Sequence, residues 1–282
     1  MVRVTVVVKV GGAKAVDPAG ALADVAALIE EGEDVVVVHG GSTAVDDALE
    51  AMGIDPEYVE TPGGVVGRFT DEETMDVFKM AMPGLVNTDL VVGLQNQGVD
   101  AVGLSGVDGG LLTGPRKSAV RVVEGGTKKI KRGDHSGTIE SVNAELLETL
   151  LEAGHTPTVS VPMLGVEDDG SYTAVNSDAD RSAAAVAGAL DADLVLLTDT
   201  TGVYRDPEDP GTRIERVSTP AEYDELTDAA EGFMKRKVMA AEEALRGGAP
   251  TVVVGDANAA NPIRSALDGD GTTIERDALP ES

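Results

Sequence analysis

The sequence predicts an α/β fold, a three-layer αβα sandwich around a mainly parallel central sheet, on three observations. Apolar runs of strand length alternate with amphipathic stretches of helix length, as strands joined by crossover helices require. The runs are apolar throughout, as strands covered on both faces are. Two of them, VVVKVGG and VVVVHGG, end in paired glycines, and loops after strand carboxyl ends line the ligand crevice of such sheets.

Taken along the chain, the first strand is expected over 2–10, where VRVTVVVKV is too short and too interrupted for a membrane span or a leader. DPAGALADVAALIEEG then places Ala21, Leu22, Val25, Ala26, Leu28 and Ile29 on one side and stops at glycine, as a helix does. A strand at 34–39 leads into STAVDDALEAMG, a helix with Ser42 as its expected cap. Strands follow at 101–105 and 156–161. SDADRSAAAVAGALDAD reads as a helix with an alanine-rich face for close packing, and strands at 193–199 and 250–254 complete the pattern. Between them, VRVV and KIKRGDHSGTIESV flank Gly125 and Gly126 and read as a projecting β-hairpin.

The chain of 282 residues carries a formal charge of −28. Such self-repulsion destabilises a compact state unless salt screens it. With nine lysines, 2% aromatic residues and abundant Ala, Val, Gly, Asp and Glu, the composition fits a salt-rich cytoplasm. The net charge argues against a nucleic-acid surface. The absence of cysteine excludes disulfides, thiol catalysis and thiolate metal sites. His39, His135 and His155 form no zinc-binding spacing, so no protein-held metal is expected.

Against this background GPRKSAVRVVEGGTKKIKRGD is anomalous. Arg116, Lys117, Arg121, Lys128, Lys129, Lys131 and Arg132 crowd into it beside only Glu124 and Asp134, which points to an anionic partner or to neutralisation by the protein's own acidic surface. Lys9 is the second anomaly. A lysine near the end of the most hydrophobic strand is costly to bury unless its ammonium meets an anion, and Gly11 and Gly12 follow it, where backbone amides can approach phosphate oxygens. Neither GxGxxG nor GxxxxGK[ST] occurs, so dinucleotide and P-loop folds lose their main support.

KVGG at 9–12, HGG at 39–41, GRFTDEETMDVF at 67–78, VGLSGVDGG at 102–110, VNSDADRSAAAVA at 175–187, LLTDTTGVY at 196–204 and MKRKV at 234–238 together resemble the amino-acid kinase family over nearly the whole length. The resemblance is strongest to the acetylglutamate kinase branch and its carrier-protein type, whose members phosphorylate the side-chain carboxylate of glutamate or 2-aminoadipate attached to a small acidic protein, LysW. Phe69 after Arg68 and the long basic hairpin resemble that type. Ser42 and Ala174 depart from the acetylglutamate enzymes on the acceptor side.

The resemblance implies one domain over 1–282, with 1–190 as the acceptor-binding and dimerising lobe and 191–282 as the nucleotide-binding lobe. It makes Lys9 and Lys237 the cations that stabilise the transferring phosphoryl group, with Lys235 competing for the second place and Asp178 holding the lysines. Gly11 and Gly12 cradle the γ-phosphate of ATP. Gly40, Gly41, Arg68 and Asn176 bind the acceptor. Thr198, Asp199, Gly202, Val203 and Tyr204 line the adenine and ribose site. Mg²⁺ is held mainly by the nucleotide. Arg116, Lys117, Lys128, Lys129, Lys131 and Arg132 are the expected docking residues for LysW. A first strand starting at residue 2 suggests a homodimer without arginine feedback. The competing expectations are a kinase of free N-acetyl-L-glutamate and, from another class, a non-catalytic nucleotide sensor.

Overall fold

The computed structural model describes residues 4–11, 18–64, 66–230 and 232–280. Gly12 and the first residues of the expected 2–10 strand lie outside them. The elements in chain order are β1 Thr5–Val10, α1 Ala19–Glu30, β2 Asp34–His39, α2 Ser42–Ala51, β3 Tyr58–Glu60, β4 Val66–Arg68, α3 Glu72–Lys79, a π-helical segment Met80–Val86, α4 Asn87–Asn96, β5 Ala101–Gly106, β6 Leu112–Glu124, β7 Thr127–Gly137 and β8 Ser141–Val142. They continue with α5 Ala144–Glu152, β9 Thr156–Val166, β10 Tyr172–Val175, α6 Ala179–Ala189, β11 Asp193–Thr198, β12 Arg216–Val217, α7 Pro220–Ala229, α8 Gly232–Gly247, β13 Thr251–Asp256, α9 Pro262–Leu267 and β14 Gly271–Glu275.

The expected α/β architecture is present. Among the described residues twelve strands form one sheet with the central order β12-β14-β13-β11-β1-β2-β9-β6-β7, and β5, β8 and β10 join its flanks. The middle is parallel: β1 pairs with β2 and β11, β11 with β13, and β2 and β5 with β9. Toward the edges the pairing turns antiparallel, β13 with β14 and β6 with β7, and β12 adds parallel to β14 at one end.

Strand periodicity sorts the core into two layers. Val7, Val36, Val38, Leu194 and Leu196 face one side, where they pack with Ala183 and Ala187 of α6 and Ala240, Ala241 and Ala244 of α8. Val6, Val8, Val35, Val37, Val195 and Leu197 face the other, against Leu22 and Val25 of α1, Leu90 and Leu94 of α4, and Ile263 of α9. The consequence for Lys9 is direct. Two residues after Val7, it points toward α6 and α8.

Several helix ends are set by side chains the sequence pattern does not reveal. Ser42 does not cap α2. It is the first helical residue, Gly41 precedes it at the cap position, and no side-chain cap bond forms there. Asp24, 3% exposed within α1, accepts the N–H groups of Ile263 (2.7 Å) and Arg264 (3.1 Å) at the start of α9. A carboxylate from one helix thus satisfies the amino end of another.

The hairpin forms as expected. Gly125 (φ 56°) and Gly126 (φ 76°) make its two-residue turn, a left-handed pair that glycine adopts without strain and that matches the twist of the flanking strands.

Candidate active site

Three charged side chains meet at the carboxyl end of the parallel sheet. Lys9 Nζ lies 2.8 Å from Asp180 Oδ1, and Lys237 Nζ lies 3.1 Å from Asp180 Oδ2. Both lysines are buried, at 7% and 8% exposure. β1 delivers Lys9, the first turn of α6 delivers Asp180, and α8 delivers Lys237. Burial alone would raise the Asp180 carboxyl, but the two ammonium groups outweigh it and hold its pKa at about 2. For Lys237, burial and then the Lys9 charge push the pKa down, while Asp180 and Asp178 oppose them. One carboxylate therefore anchors two cations that repel each other.

This geometry corrects the expected role of Asp178. Its side chain accepts the backbone N–H groups of Asp180 (3.0 Å) and Arg181 (3.1 Å) and caps α6. As an N-cap carboxylate turned back on its own helix, it favours the charged Lys237 only through its field, whereas Asp180 pairs directly with both lysines. The signal was present in SDADR. Where two carboxylates stand at a helix start, the cap position occupies the first, and the second is available to a distant partner. Lys235 is exposed whereas Lys237 is buried and pairs with Asp180.

α6 and α8 run side by side, and Gly188 governs how closely they approach. A Cβ there would lie 3.0 Å from both the carbonyl carbon and Cα of Gly247. Those are backbone atoms and cannot swing aside. Gly188→Val is expected to lower stability by about 1–3 kcal/mol through overpacking, seen as a lower urea midpoint. A midpoint equal to that of the unaltered protein would show that this contact does not set the helix spacing.

The glycine turn after β2 sits beside the lysines. Gly40 donates its N–H to the Val10 carbonyl (3.1 Å). A Cβ on Gly41 would come within 2.7 Å of Met82 Sδ, so that glycine permits contact with the π-helical segment. His39, fully buried, has its Nδ1 3.2 Å from the Gly40 carbonyl and its Nε2 2.9 Å from Asn87 Nδ2. Burial drives its pKa down to about 4, with the hydrogen bond to Gly40 opposing and Lys9 reinforcing the fall. The ring is neutral at neutral pH.

Among the residues expected to bind the acceptor, Arg68 is held by Asp46 and by the Ser42 carbonyl (2.8 Å), and stacks over Tyr58 at 5.3 Å. Tyr58 in turn donates to Asp46 (2.8 Å). Asn176 donates to Thr70 Oγ1 (3.0 Å), and its backbone bridges to the hairpin base through His135 (2.8 Å) and Gly137 (2.9 Å). Buried Asp134 accepts the Thr70 N–H (3.2 Å) and the Ser136 hydroxyl. Asn176 is thus tied to Thr70, two residues after Arg68, and the supporting residues Asp46, Tyr58 and Asp134 escaped the sequence reading because each acts across a long chain separation.

Thr198 ends β11 at the same carboxyl side of the sheet and Asp199 follows it, with the Thr198 hydroxyl 3.1 Å from Asp199. Val203 differs from expectation. At 1% exposure it packs in the core, and its N–H donates to Thr272 (2.8 Å), so its side chain is a support beneath the loop. Gly202 lies against Thr272, whose Oγ1 would be 2.5 Å from a Cβ. Tyr204 bridges to Arg213. Gly11 follows β1, and Gly12 is outside the described residues.

The hairpin divides its charges between two faces, since residues opposite each other share a face. Val120 pairs with Lys131 and Val122 with Lys129. That face is turned inward: Val122 is buried, Lys131 pairs with Glu57 and lies 4.1 Å from the Phe69 ring centroid, and Lys129 pairs with Glu124 at 2.7 Å. On the other face Ala119 opposes Arg132, Arg121 opposes Ile130 and Val123 opposes Lys128. Arg121, Lys128 and Arg132 are exposed there around Ile130, which is 64% exposed. Lys117 is exposed near the base. Arg116 is tied to Glu167 at 2.5 Å.

Comparison with known proteins agrees with this architecture. The model of the amino acid kinase family matches residues 4–256. The chain is 44% identical over 275 residues to the LysW-aminoadipate kinase of Thermus thermophilus, covering 95% of this chain and 99% of that one. It is 41% identical over 271 residues to the acetylglutamate kinase of Methanopyrus kandleri, covering 95% and 99%. Among solved structures, the N-acetylglutamate synthase of Neisseria gonorrhoeae superimposes with a TM-score of 0.74 at 25% identity, and this chain covers 60% of that longer one. With the expected lysine pair found on a shared carboxylate and the family match spanning most of its length, the chain belongs to the amino acid kinase family.

Proposed function

We propose that this protein is an ATP-dependent carboxylate kinase that phosphorylates the side chain of glutamate or 2-aminoadipate attached to a LysW-type carrier, giving an acyl phosphate for arginine or lysine biosynthesis. The observation that carries the reading is the meeting of Lys9 and Lys237 on Asp180. The identity to the Thermus enzyme supports the choice of acceptor.

The chemistry follows from charge. A carboxylate with an ordinary pKa of about 4.3 is ionised at neutral pH, so no general base is needed. The obstacle is repulsion between an anionic nucleophile and a polyanionic phosphate. Two fixed ammonium groups, already desolvated and locked on Asp180, stabilise charge as it spreads over the transferring phosphoryl oxygens. Asp180 keeps them in place without itself accepting a proton. Mg²⁺ arriving on the phosphates of ATP would neutralise part of their charge.

In this reading Arg68 exchanges its Asp46 contact for the acceptor's α-carboxylate side, Asn176 binds beside it, and Gly40 and Gly41 present amides to the acceptor. Gly11 and Gly12 approach the γ-phosphate, and Thr198, Asp199, Gly202 and Tyr204 flank the nucleoside. Residues 1–190 then serve acceptor binding and dimerisation, and 191–282 the nucleotide. A homodimer is supported by Met80, Leu85 and Val92, each more than half exposed along the helical stretch from α3 to α4. The charge of −28 suits work in the salt-rich cytoplasm proposed here.

The carrier meets the outward face of the hairpin. Lys129, Lys131 and Arg116 are committed to Glu124, Glu57 and Glu167, so Arg121, Lys128 and Arg132 are the cations best placed for an acidic partner. Replacing these three with glutamine is expected to raise the KM for the carrier about tenfold, each exposed pair being worth a fraction of a kcal/mol to about 1 kcal/mol, with the KM for ATP unchanged. An unaltered carrier KM would remove the docking role.

Hydroxylamine trapping in concentrated KCl tests the reaction itself. Acyl phosphate should form with a carrier ending in glutamate or 2-aminoadipate. Turnover with free N-acetyl-L-glutamate alone would overturn the acceptor, and hydroxamate from none of them would overturn the activity.

A further inference from the structure

The buried histidine beside the glycine turn has no part in the charge chemistry, yet its hydrogen bonds are fully specified. Asn87 Nδ2 reaches both the Thr158 carbonyl (2.8 Å) and His39 Nε2 (2.9 Å). An amide nitrogen only donates, so Nε2 accepts, and the neutral ring carries its proton on Nδ1. That proton is donated to the Gly40 carbonyl, 3.2 Å away. The tautomer is fixed by Asn87, one residue beyond the π-helical segment.

The Asn87 amide is itself confined. A Cβ on Gly103 would fall 2.2 Å from Asn87 Oδ1, so β5 leaves room for that side chain only because residue 103 is glycine. Met82 and Val86, from the same helical segment, back Gly41. The turn is thereby braced from one side by three residues of Met80–Asn87.

A trans peptide sets its C=O and N–H in opposite directions. With the Gly40 carbonyl drawn toward His39, the N–H of Gly41 in the same peptide must point away from the imidazole. We propose that His39 is a positioning residue for phosphoryl transfer: clamped by Asn87, it fixes the Gly40–Gly41 peptide so that the Gly41 N–H faces the acceptor. The proposal rests on the reading that this turn lines the acceptor pocket.

Two replacements separate this role from mere packing. The side-chain amide of asparagine can place its nitrogen where Nδ1 sits, and the longer glutamine side chain can place an acceptor where Nε2 sits. His39→Asn keeps the bond to Gly40 and abandons Asn87, whereas His39→Gln does the reverse. The expected result is a crossed pattern. His39→Asn should be the less stable in urea but keep its acceptor KM within about threefold, while His39→Gln should be the more stable yet raise that KM about tenfold. The ATP KM should stay within twofold in both.

Asn87→Ser offers a route that leaves the imidazole in place. Releasing Nε2 lets the proton move between ring nitrogens, and a rise in acceptor KM is expected. The assay uses whichever acceptor the unaltered enzyme turns over in hydroxylamine trapping, so failure of the carrier reading appears in the parent protein and not in the variants. Equal acceptor KM values in the two His39 variants, activity that simply tracks their stability, or an unchanged KM in Asn87→Ser would each overturn the positioning role.

Discussion

Asp180→Asn is expected to lower kcat by about 10²–10³-fold, the loss typical when a preorganised electrostatic contact is removed. Asparagine fills the same space but carries no charge, and its NH₂ would face one of two ammonium groups. Breaking a buried pair by deleting one partner costs about 3–5 kcal/mol, so stability should fall with activity. The pH dependence should change as well. Asp180 is among the groups that raise the Lys237 pKa against burial and the Lys9 charge, and without it Lys237 loses its proton at lower pH. Residual activity in the variant should decline as pH rises through a range where the parent is flat. Asp178→Asn is the paired control. It alters an N-cap, where asparagine serves nearly as well as aspartate, and should retain most activity. Full activity in Asp180→Asn, or equal losses in the two variants, would refute the assignment.

The Asp180 carboxylate also predicts an acid limb. Its folded pKa of about 2 lies below the ordinary 3.8. Its contribution to stability is therefore complete above 3.8 and lost as pH falls through about 2.

Lys9→Met and Lys237→Met are the second pair with large expected effects, each lowering kcat about 10³-fold. Methionine preserves much of the stem and removes the ammonium. Because both cations act on the same migrating group, the double variant should be little worse than either single one. Stability should move differently. Lys9 disfavours the charge on Lys237, and removing either cation relieves that repulsion while leaving Asp180 paired. Each single variant should keep a urea midpoint close to that of the parent. Single-turnover transfer from ATP, measured by quench, checks the first claim. More than a tenth of parental kcat in either single variant would sink the two-cation mechanism.

Much of this architecture was open to reading from the chain. Continuous valine runs, glycine stops and a lysine stranded at the end of an apolar strand are local patterns, and local patterns fix periodicity, burial and the parallel sheet. The hairpin turn was legible because two adjacent glycines serve a left-handed turn. Less was available at the edges. β12 is two residues long and β14 runs antiparallel to its neighbour β13, and neither length nor direction leaves a strong pattern. The long helical stretch from α3 to α4 has no counterpart in the sequence reading, because Pro83 and Gly84 interrupt a helical pattern, while the π-helical segment contains both.

The sequence by itself determined which layers form, which side of β1 carries Lys9, and that cations gather near 116–132. Tertiary structure alone decided which aspartate holds the lysines, which histidine nitrogen bears the proton, and which hairpin cations face outward. The division has one physical cause. Side-chain direction follows from a period of two or 3.6 residues within a single element, whereas ionic partnership depends on a separation of a few ångströms between elements far apart in the chain. Asp178 and Asp180 are chemically identical neighbours. Only the arrival of β1 and α8 beside the first turn of α6 distinguishes them.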